Sequence, residues 1–229
     1  MRKSLQVSLT ALFAALHAIL YFISFGLWRN WGIYLESIEG IFLGPQAGFT
    51  AALIGSVIAR IAKPDDFWMF GIIAEPFSVL MAGFLARAKW KPVSAAFAVM
   101  LLAYFIHPFG RSLPLWTILD VVFALILIYP AAKLGKHLFS MDFKRLPFAL
   151  VLVSFVCIAT DSLVRIFLLV PCGLHSLFFG SFDVLYAVFV EAAVSSYIED
   201  LIVVAVSLIV GAPLLASMLK LKILEKKSV

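Results

Sequence analysis

Apolar residues run along this chain in long stretches, each closed by a short polar, basic or proline-containing interruption. Stretches of that length read as membrane-crossing helices. Leu5 to Leu27 predicts a first span, followed by an aromatic and basic interface at Trp28-Arg29-Asn30-Trp31. Trp31 to Gly44 predicts a short helix and Pro45 to Ala62 its partner. The Gly44-Pro45 step ends one helix and starts the next, because proline at a first helical position forfeits no hydrogen bond. Lys63-Pro64-Asp65-Asp66 reads as a turn. Further spans are expected over Phe67 to Ala86, Val93 to Ile106, Leu115 to Leu134 and Pro147 to Leu169, with Pro171-Cys172-Gly173 as a break. The last apolar run, Val184 to Leu219, is too long for one crossing. It is expected to divide at Glu199-Asp200 into an interfacial or partly inserted helix, Val184 to Ile198, and a final crossing, Leu201 to Leu219. Strand-type alternation is absent, which argues against an outer-membrane barrel. The pattern predicts an all-α polytopic membrane protein. It is expected to be one domain over residues 1–229, a compact bundle of about six to eight transmembrane helices with a Gly-Pro helical hairpin.

Composition agrees: 64% of residues are hydrophobic and only 14% charged, which excludes an ordinary soluble domain. The two cysteines, Cys157 and Cys172, lie far apart in apolar surroundings and carry no disulfide or metal signature. The net charge of +5 is not a nucleic-acid signal, because topology explains its placement. With the N-terminus inside, the inner face receives Arg2, Lys3, Arg87, Lys89, Lys91, Lys133, Lys136, Lys144, Arg145, Lys220, Lys222, Lys226 and Lys227. The outer face receives Arg29, Arg60, Lys63 and Arg111, and Arg165 lies in the membrane. This bias predicts a multi-pass protein of the cytoplasmic (plasma) membrane with both termini inside. A reading without the Gly-Pro break would strand the basic clusters on the wrong side.

Eight of the 13 acidic residues fall within apolar spans: Glu36, Glu39, Glu75, Asp120, Asp161, Glu191, Glu199 and Asp200. Ionisable groups at membrane depth are costly and normally face a bundle interior or a water-filled cavity. Asp161 and Arg165, four apart with the acid first, suit a helix ion pair. Glu199-Asp200 and Asp120 can each be read as interface groups at a helix start. Glu36, Glu39 and Glu75 have no basic neighbour in sequence and are the leading binding candidates. Glu36 and Glu39 share one helix face, and the three are expected to line one outward-facing pocket with Tyr34, Trp31 or Trp116 near its mouth. Asp120, Asp161, Arg165 and Glu191 complete the candidate substrate-binding set. His17 and His107 read as packing or turn residues. Small residues at Ala47, Ala51, Gly55 and Ala59 put a smooth face on one helix, where neighbouring backbones can come close in lipid. No phosphate-cradling loop, nucleophile elbow, zinc-type His pair or prenyl-diphosphate motif occurs, so the chain is not expected to be an enzyme or to hold a metal or cofactor.

At Thr10-Ala11-Leu12-Phe13-Ala14-Ala15-Leu16, followed by Ile41-Phe42-Leu43-Gly44-Pro45-Gln46-Ala47-Gly48, the chain resembles the substrate-binding S components of energy-coupling factor (ECF) transporters. The likeness is closest over residues 5–92. It implies a membrane subunit that captures a vitamin or related small micronutrient from outside. That subunit then docks on a transmembrane coupling subunit driven by two ATPase subunits. It also implies that an A-x-x-x-A face on the first helix makes the docking contact, here Ala11 and Ala15 with the overlapping register Ala14 and Ala18. The family usually has six helices, and this chain is expected to carry two more after residue 92. The excess of buried carboxylates over buried bases favours a cationic substrate, or protonated acids. An S-component-like scaffold that transports nothing is the alternative, and an intramembrane lipid-modifying enzyme a third reading.

Overall fold

The structure, a computed structural model, describes residues 3–23, 30–140 and 144–221. Trp28 and Arg29 of the expected interface, and Arg2, Lys222, Lys226 and Lys227 of the expected inner cluster, lie outside the described residues. The chain forms helices α1 (Lys3–Tyr21), α2 (Ile33–Leu43), α3 (Pro45–Ala62), α4 (Trp68–Leu85), α5 (Trp90–Ile106) and the short α6 (Pro108–Ser112). A tight 3-10 turn at Leu115–Ile118 leads into α7 (Leu119–Gly135), followed by α8 (Leu146–Leu169) and the single-turn α9 (His175–Phe178). After it comes α10 (Phe182–Val206), which passes through a π turn (Ser207–Gly211) into α11 (Ala212–Lys220). No strand occurs among the described residues.

Among the described residues, five segments are long and apolar enough to cross a membrane: Lys3–Tyr21, Trp68–Leu85, Leu115–Phe139, Leu146–Leu169 and Phe182–Lys220. Helix α5 is apolar but shorter. Large apolar side chains such as Ile19, Leu102, Ile126 and Ile209 point outward and stay exposed. In a membrane protein such side chains face lipid.

The last apolar run departs from expectation. Glu199 and Asp200 do not divide it, because the helix continues through both and buries them, with 1% and 2% exposure. Acids in a helix interior do not break it, since glutamate is a good helix former. The irregularity comes about two turns later, at the π turn, where the Ser207 hydroxyl lies 2.7 Å from that of Ser37 on α2.

Helix α4 is the axis of the bundle, and its neighbours reach it through glycines. A Cβ on Gly40 of α2 would sit 2.3 Å from the Val79 carbonyl oxygen of α4. One on Gly135 of α7 would sit 2.2 Å from the Leu85 carbonyl oxygen. Only hydrogen fits at those points. The small face of α3 behaves alike against α1: Ala51, Gly55 and Ala59 are buried, and a Cβ on Gly55 would meet the Ala14 carbonyl at 2.8 Å. The single residue between α2 and α3 is Gly44, with φ +89°, a conformation that glycine adopts without a steric penalty. Pro45 opens α3 directly after it.

Candidate functional site

The charged residues at the centre of the bundle come from five helices and meet around Glu75 of α4. The Glu75 carboxylate is completely buried. Its Oε2 lies 3.0 Å from His17 Nε2 of α1 and accepts from Arg60 Nη1 of α3 at 3.1 Å. The Ser56 hydroxyl donates to the same oxygen. Its Oε1 accepts from Arg60 Nη2, and from Arg165 Nη2 of α8 at 3.5 Å. Arg165 in turn donates through Nε to Asp161 Oδ2 at 2.7 Å and through Nη2 to Asp161 Oδ1 at 3.2 Å. The other ring nitrogen of His17 lies 3.2 Å from Glu39 Oε2 of α2. Glu36, one turn before Glu39, accepts from the Ser78 hydroxyl of α4. Both glutamates of α2 thus face inward, and Glu75, Arg60, Arg165 and Asp161 pair charges of opposite sign there, as low dielectric favours.

His17 sits between two carboxylates. Both contacts are hydrogen bonds only if the ring carries a proton on each nitrogen, or if one carboxyl keeps its own proton. The triad Glu39–His17–Glu75 ties α1, α2 and α4 together at one point. This corrects the reading of His17 as a packing residue. Arg60, expected at the outer face, is likewise an interior partner with 6% exposure.

Beside this cluster lies a cavity of about 220 Å³. Phe67 and Phe70 at the start of α4, with Phe179 and Phe189, form aromatic walls. Three charged groups line it: Asp120 of α7, Arg165 of α8 and Glu199 of α10. Thr117, Ser162 and Ser196 add hydroxyls. Arg165 belongs to both features, with its guanidinium on Asp161 and Glu75 and its side chain in the cavity wall. The cavity gathers the starts of α4 and α7, the end of α8 and the middle of α10. Its residues therefore lie at one end of the bundle. The opposite end carries the close of α7 and the start of α8, where Arg145 Nη1 lies 3.4 Å from His137 Nε2. Arg87, just past α4, sits there too, over the Phe139 ring at 5.7 Å.

Several sequence expectations change. Glu36, Glu39 and Glu75 come together but do not line the cavity, because hydrogen-bonding partners from α1, α3 and α4 hold them inside the bundle. Tyr34 and Trp31 stack edge to face at 5.1 Å and pack with Ile158 and Val203, not at the cavity mouth. Trp116 is exposed, and its carbonyl oxygen accepts from the Tyr197 hydroxyl of α10 while its neighbour Thr117 lines the cavity. Glu191 is exposed on α10 and does not line this cavity. Asp120 does line the cavity, and so does Glu199, which sequence offered only as a helix cap. The Asp161–Arg165 ion pair forms as the four-residue spacing implies. On α1, Ala14 and Ala18 are buried inside the bundle while Ala11 and Ala15 face outward. Among the described residues no group of His, Cys, Asp and Glu is arranged to hold a metal.

Fold and site together define an all-helical membrane-type protein with an aromatic, charge-lined cavity backed by a buried ion-pair cluster. The chain is 29% identical over 131 residues to an uncharacterized protein of Methanocaldococcus jannaschii. The match spans 56% of this chain and 44% of that relative, so the chain covers under half the length of the curated relative it matches. No family model and no solved structure matches it.

Proposed function

We propose that the protein is the substrate-binding membrane subunit of an ECF-type importer, built as an S-component-like bundle around the α2–Gly44–α3 helical hairpin. It captures a vitamin or related small micronutrient from outside the cell and docks on a transmembrane coupling subunit with two ATPase subunits. One observation carries the reading: the cavity lies at the end of the bundle away from Arg87, Lys89, Lys133, Lys136, Lys144 and Arg145. Basic residues favour the cytoplasmic side, so the cavity faces out. Pockets with apolar walls and a few convergent polar groups are the usual form of small-molecule sites.

Cys172 tests that orientation without engineering. It is exposed and follows α8, at the cavity end, while Cys157 is buried. A membrane-impermeant maleimide should label Cys172 on intact cells. In a Cys172→Ser background, Lys89→Cys and Lys144→Cys should be protected until the membrane is opened. Burial raises the Cys172 thiol above its ordinary value, so less thiolate is present at neutral pH. Labelling should therefore speed up as pH rises through the mildly alkaline range. Protected Cys172 with labelled Lys89→Cys would invert the topology and end the capture reading.

Docking is tested on α1. Ala15 is exposed, so Ala15→Leu should abolish co-purification with a coupling subunit while the isolated protein still binds ligand. Ala14 is buried against α3, so Ala14→Leu should lower thermal stability instead, by about 1–3 kcal/mol from overpacking. Loss of ligand binding on Ala15→Leu with assembly intact would refute the assignment of that face.

A further inference from the structure

Arg165 is the charged group that this cavity can offer to a ligand. We infer that the cavity takes a small molecule bearing a carboxylate on a flat, apolar body. The carboxylate accepts from Arg165 Nη1, and the body lies among Phe67, Phe70, Phe179 and Phe189. This deepens the proposed capture role and rests on this cavity being its site. It departs from the cationic substrate that an excess of acids suggests in sequence, because the acids lining the cavity already have partners.

The charged lining consists of Asp120, Arg165 and Glu199. Asp120 and Glu199 are buried, at 6% and 1% exposure, and each is engaged with a neighbour of its own. The Arg165 side chain is 25% exposed, more than either acid. A guanidinium has five N–H donors, one on Nε and two on each terminal nitrogen. In Arg165, Nε donates to Asp161 Oδ2, and Nη2 divides its donors between Asp161 Oδ1 and Glu75 Oε1. Nη1 makes no hydrogen bond among the described residues. Asp161 occupies the Nε–Nη2 edge of the fork, so Nη1 lies on the edge turned away from it. The ion pair thus orients the guanidinium and leaves the donors of Nη1 for a ligand. Glu75, 3.5 Å from Nη2, is shared with Arg60 and His17, so the main counter-charge of Arg165 is Asp161 alone. A hydrogen bond from such a donor to a carboxylate is about twice as strong as one between neutral groups.

A helix start adds potential of the same sign. Helix α4 begins among Phe67 and Phe70 of the wall, with no side-chain cap and no acid in its first turn. Helix N-termini carry partial positive charge, which favours an anion nearby. Helix α7 begins there too, and Asp120 in its first turn offsets that end. An amine would meet like charge from the guanidinium and from the open start of α4. The apolar body has its own surface. Phe67 and Phe70 stand 6.1 Å apart between centroids, and Phe178 packs behind both at 4.9 and 5.7 Å. Apolar walls with a few convergent polar groups hold and orient small ligands.

The test uses the purified full-length protein in detergent at neutral pH, with protein-free micelles as the blank. Three probes share one ring and differ in their polar end: 3-phenylpropionate, its neutral amide 3-phenylpropionamide, and phenethylamine, each titrated calorimetrically to millimolar concentration. The acid should bind at least about tenfold more tightly than the amide, and the amine should not bind. Asp161→Asn combined with Arg165→Gln removes the pair together and strands neither charge. In that variant the acid should lose its advantage over the amide. Arg165→Lys, which keeps a charge but not the fork, should narrow the same ratio should the double variant fail to fold. The comparison of the three probes on the parent needs neither variant. Equal binding of acid and amide, tightest binding of the amine, or no binding by any of the three overturns the proposal. The measurement needs no coupling subunit. Acid-selective binding by a protein that never assembles with one refutes import and leaves the ligand class standing. Assembly by a protein whose cavity prefers the amine does the reverse.

Discussion

Replacing Glu75 with alanine should cost about 3–5 kcal/mol of folding stability, the range for breaking a buried ion pair from one side. Glu75 is the acceptor on which His17, Ser56, Arg60 and Arg165 converge. Its removal leaves the Arg60 guanidinium buried at 6% exposure without that carboxylate, and leaves His17 with Glu39 and the Ser56 hydroxyl. Much of the expected loss is this stranded charge, not the worth of the pair. Glu75→Ala combined with Arg60→Met should therefore recover part of the stability lost by Glu75→Ala. Glu75→Gln, which keeps an acceptor but not the charge, should fall between the parent and Glu75→Ala. Thermal midpoints of the detergent-solubilised protein, read alongside denaturant unfolding, decide the matter. A Glu75→Ala protein that melts with the parent would mean that the cluster adds nothing to the fold.

Gly40→Ala should also be severe, at or above the roughly 1–3 kcal/mol of ordinary overpacking. The added methyl would stand 2.3 Å from the Val79 carbonyl oxygen and 2.9 Å from the Ala82 methyl. The first neighbour is backbone, which no rotamer change can move aside. Relief requires α2 to back away from α4, which would stretch the Glu36–Ser78 hydrogen bond between the same two helices. Gly180→Ala is the matched control: nothing lies within 4 Å of its added methyl, so it should stay within about 0.5 kcal/mol of the parent. Similar melting of the two variants would remove the close approach of α2 and α4 as a source of stability.

What sequence disclosed follows from the range of its rules. Helix period, the Gly44-Pro45 break and the four-residue spacing of Asp161 and Arg165 are local, and each appears as read. The small residues of α3 implied a tight neighbour, and the structure supplies α1. The cost of acids in apolar helices singled out Glu36, Glu39 and Glu75 before any partner was visible. Their partners lie beyond local rules. His17 precedes Glu75 by 58 positions, and nothing in its own apolar stretch marks it as a bridge. Arg60 sits in the last turn of α3, where an interface charge is the ordinary reading, yet its side chain folds back onto Ser56 and Glu75. Glu199 and Asp200 misled for a related reason. A pair of adjacent acids in an apolar run resembles a boundary, and only packing reveals it as interior.

The two sides of the cavity differ in compliance. Helices α4 and α8 meet it from a wall pinned by ion pairs and, behind α4, by backbone-to-backbone contact at Gly40 and Gly135. Helix α10 meets it with Ala192, Ala193 and Ser196. It is tied across by hydroxyls, with Tyr197 on the Trp116 carbonyl and Ser196 3.4 Å from Ser162. A π turn interrupts the regular backbone of the same helix two turns beyond Glu199, and such turns cluster at functional sites. Displacing α4 would break several charged contacts at once. The cavity is thus framed on one side by charged and backbone-to-backbone contacts and on the other by a helix interrupted by a π turn.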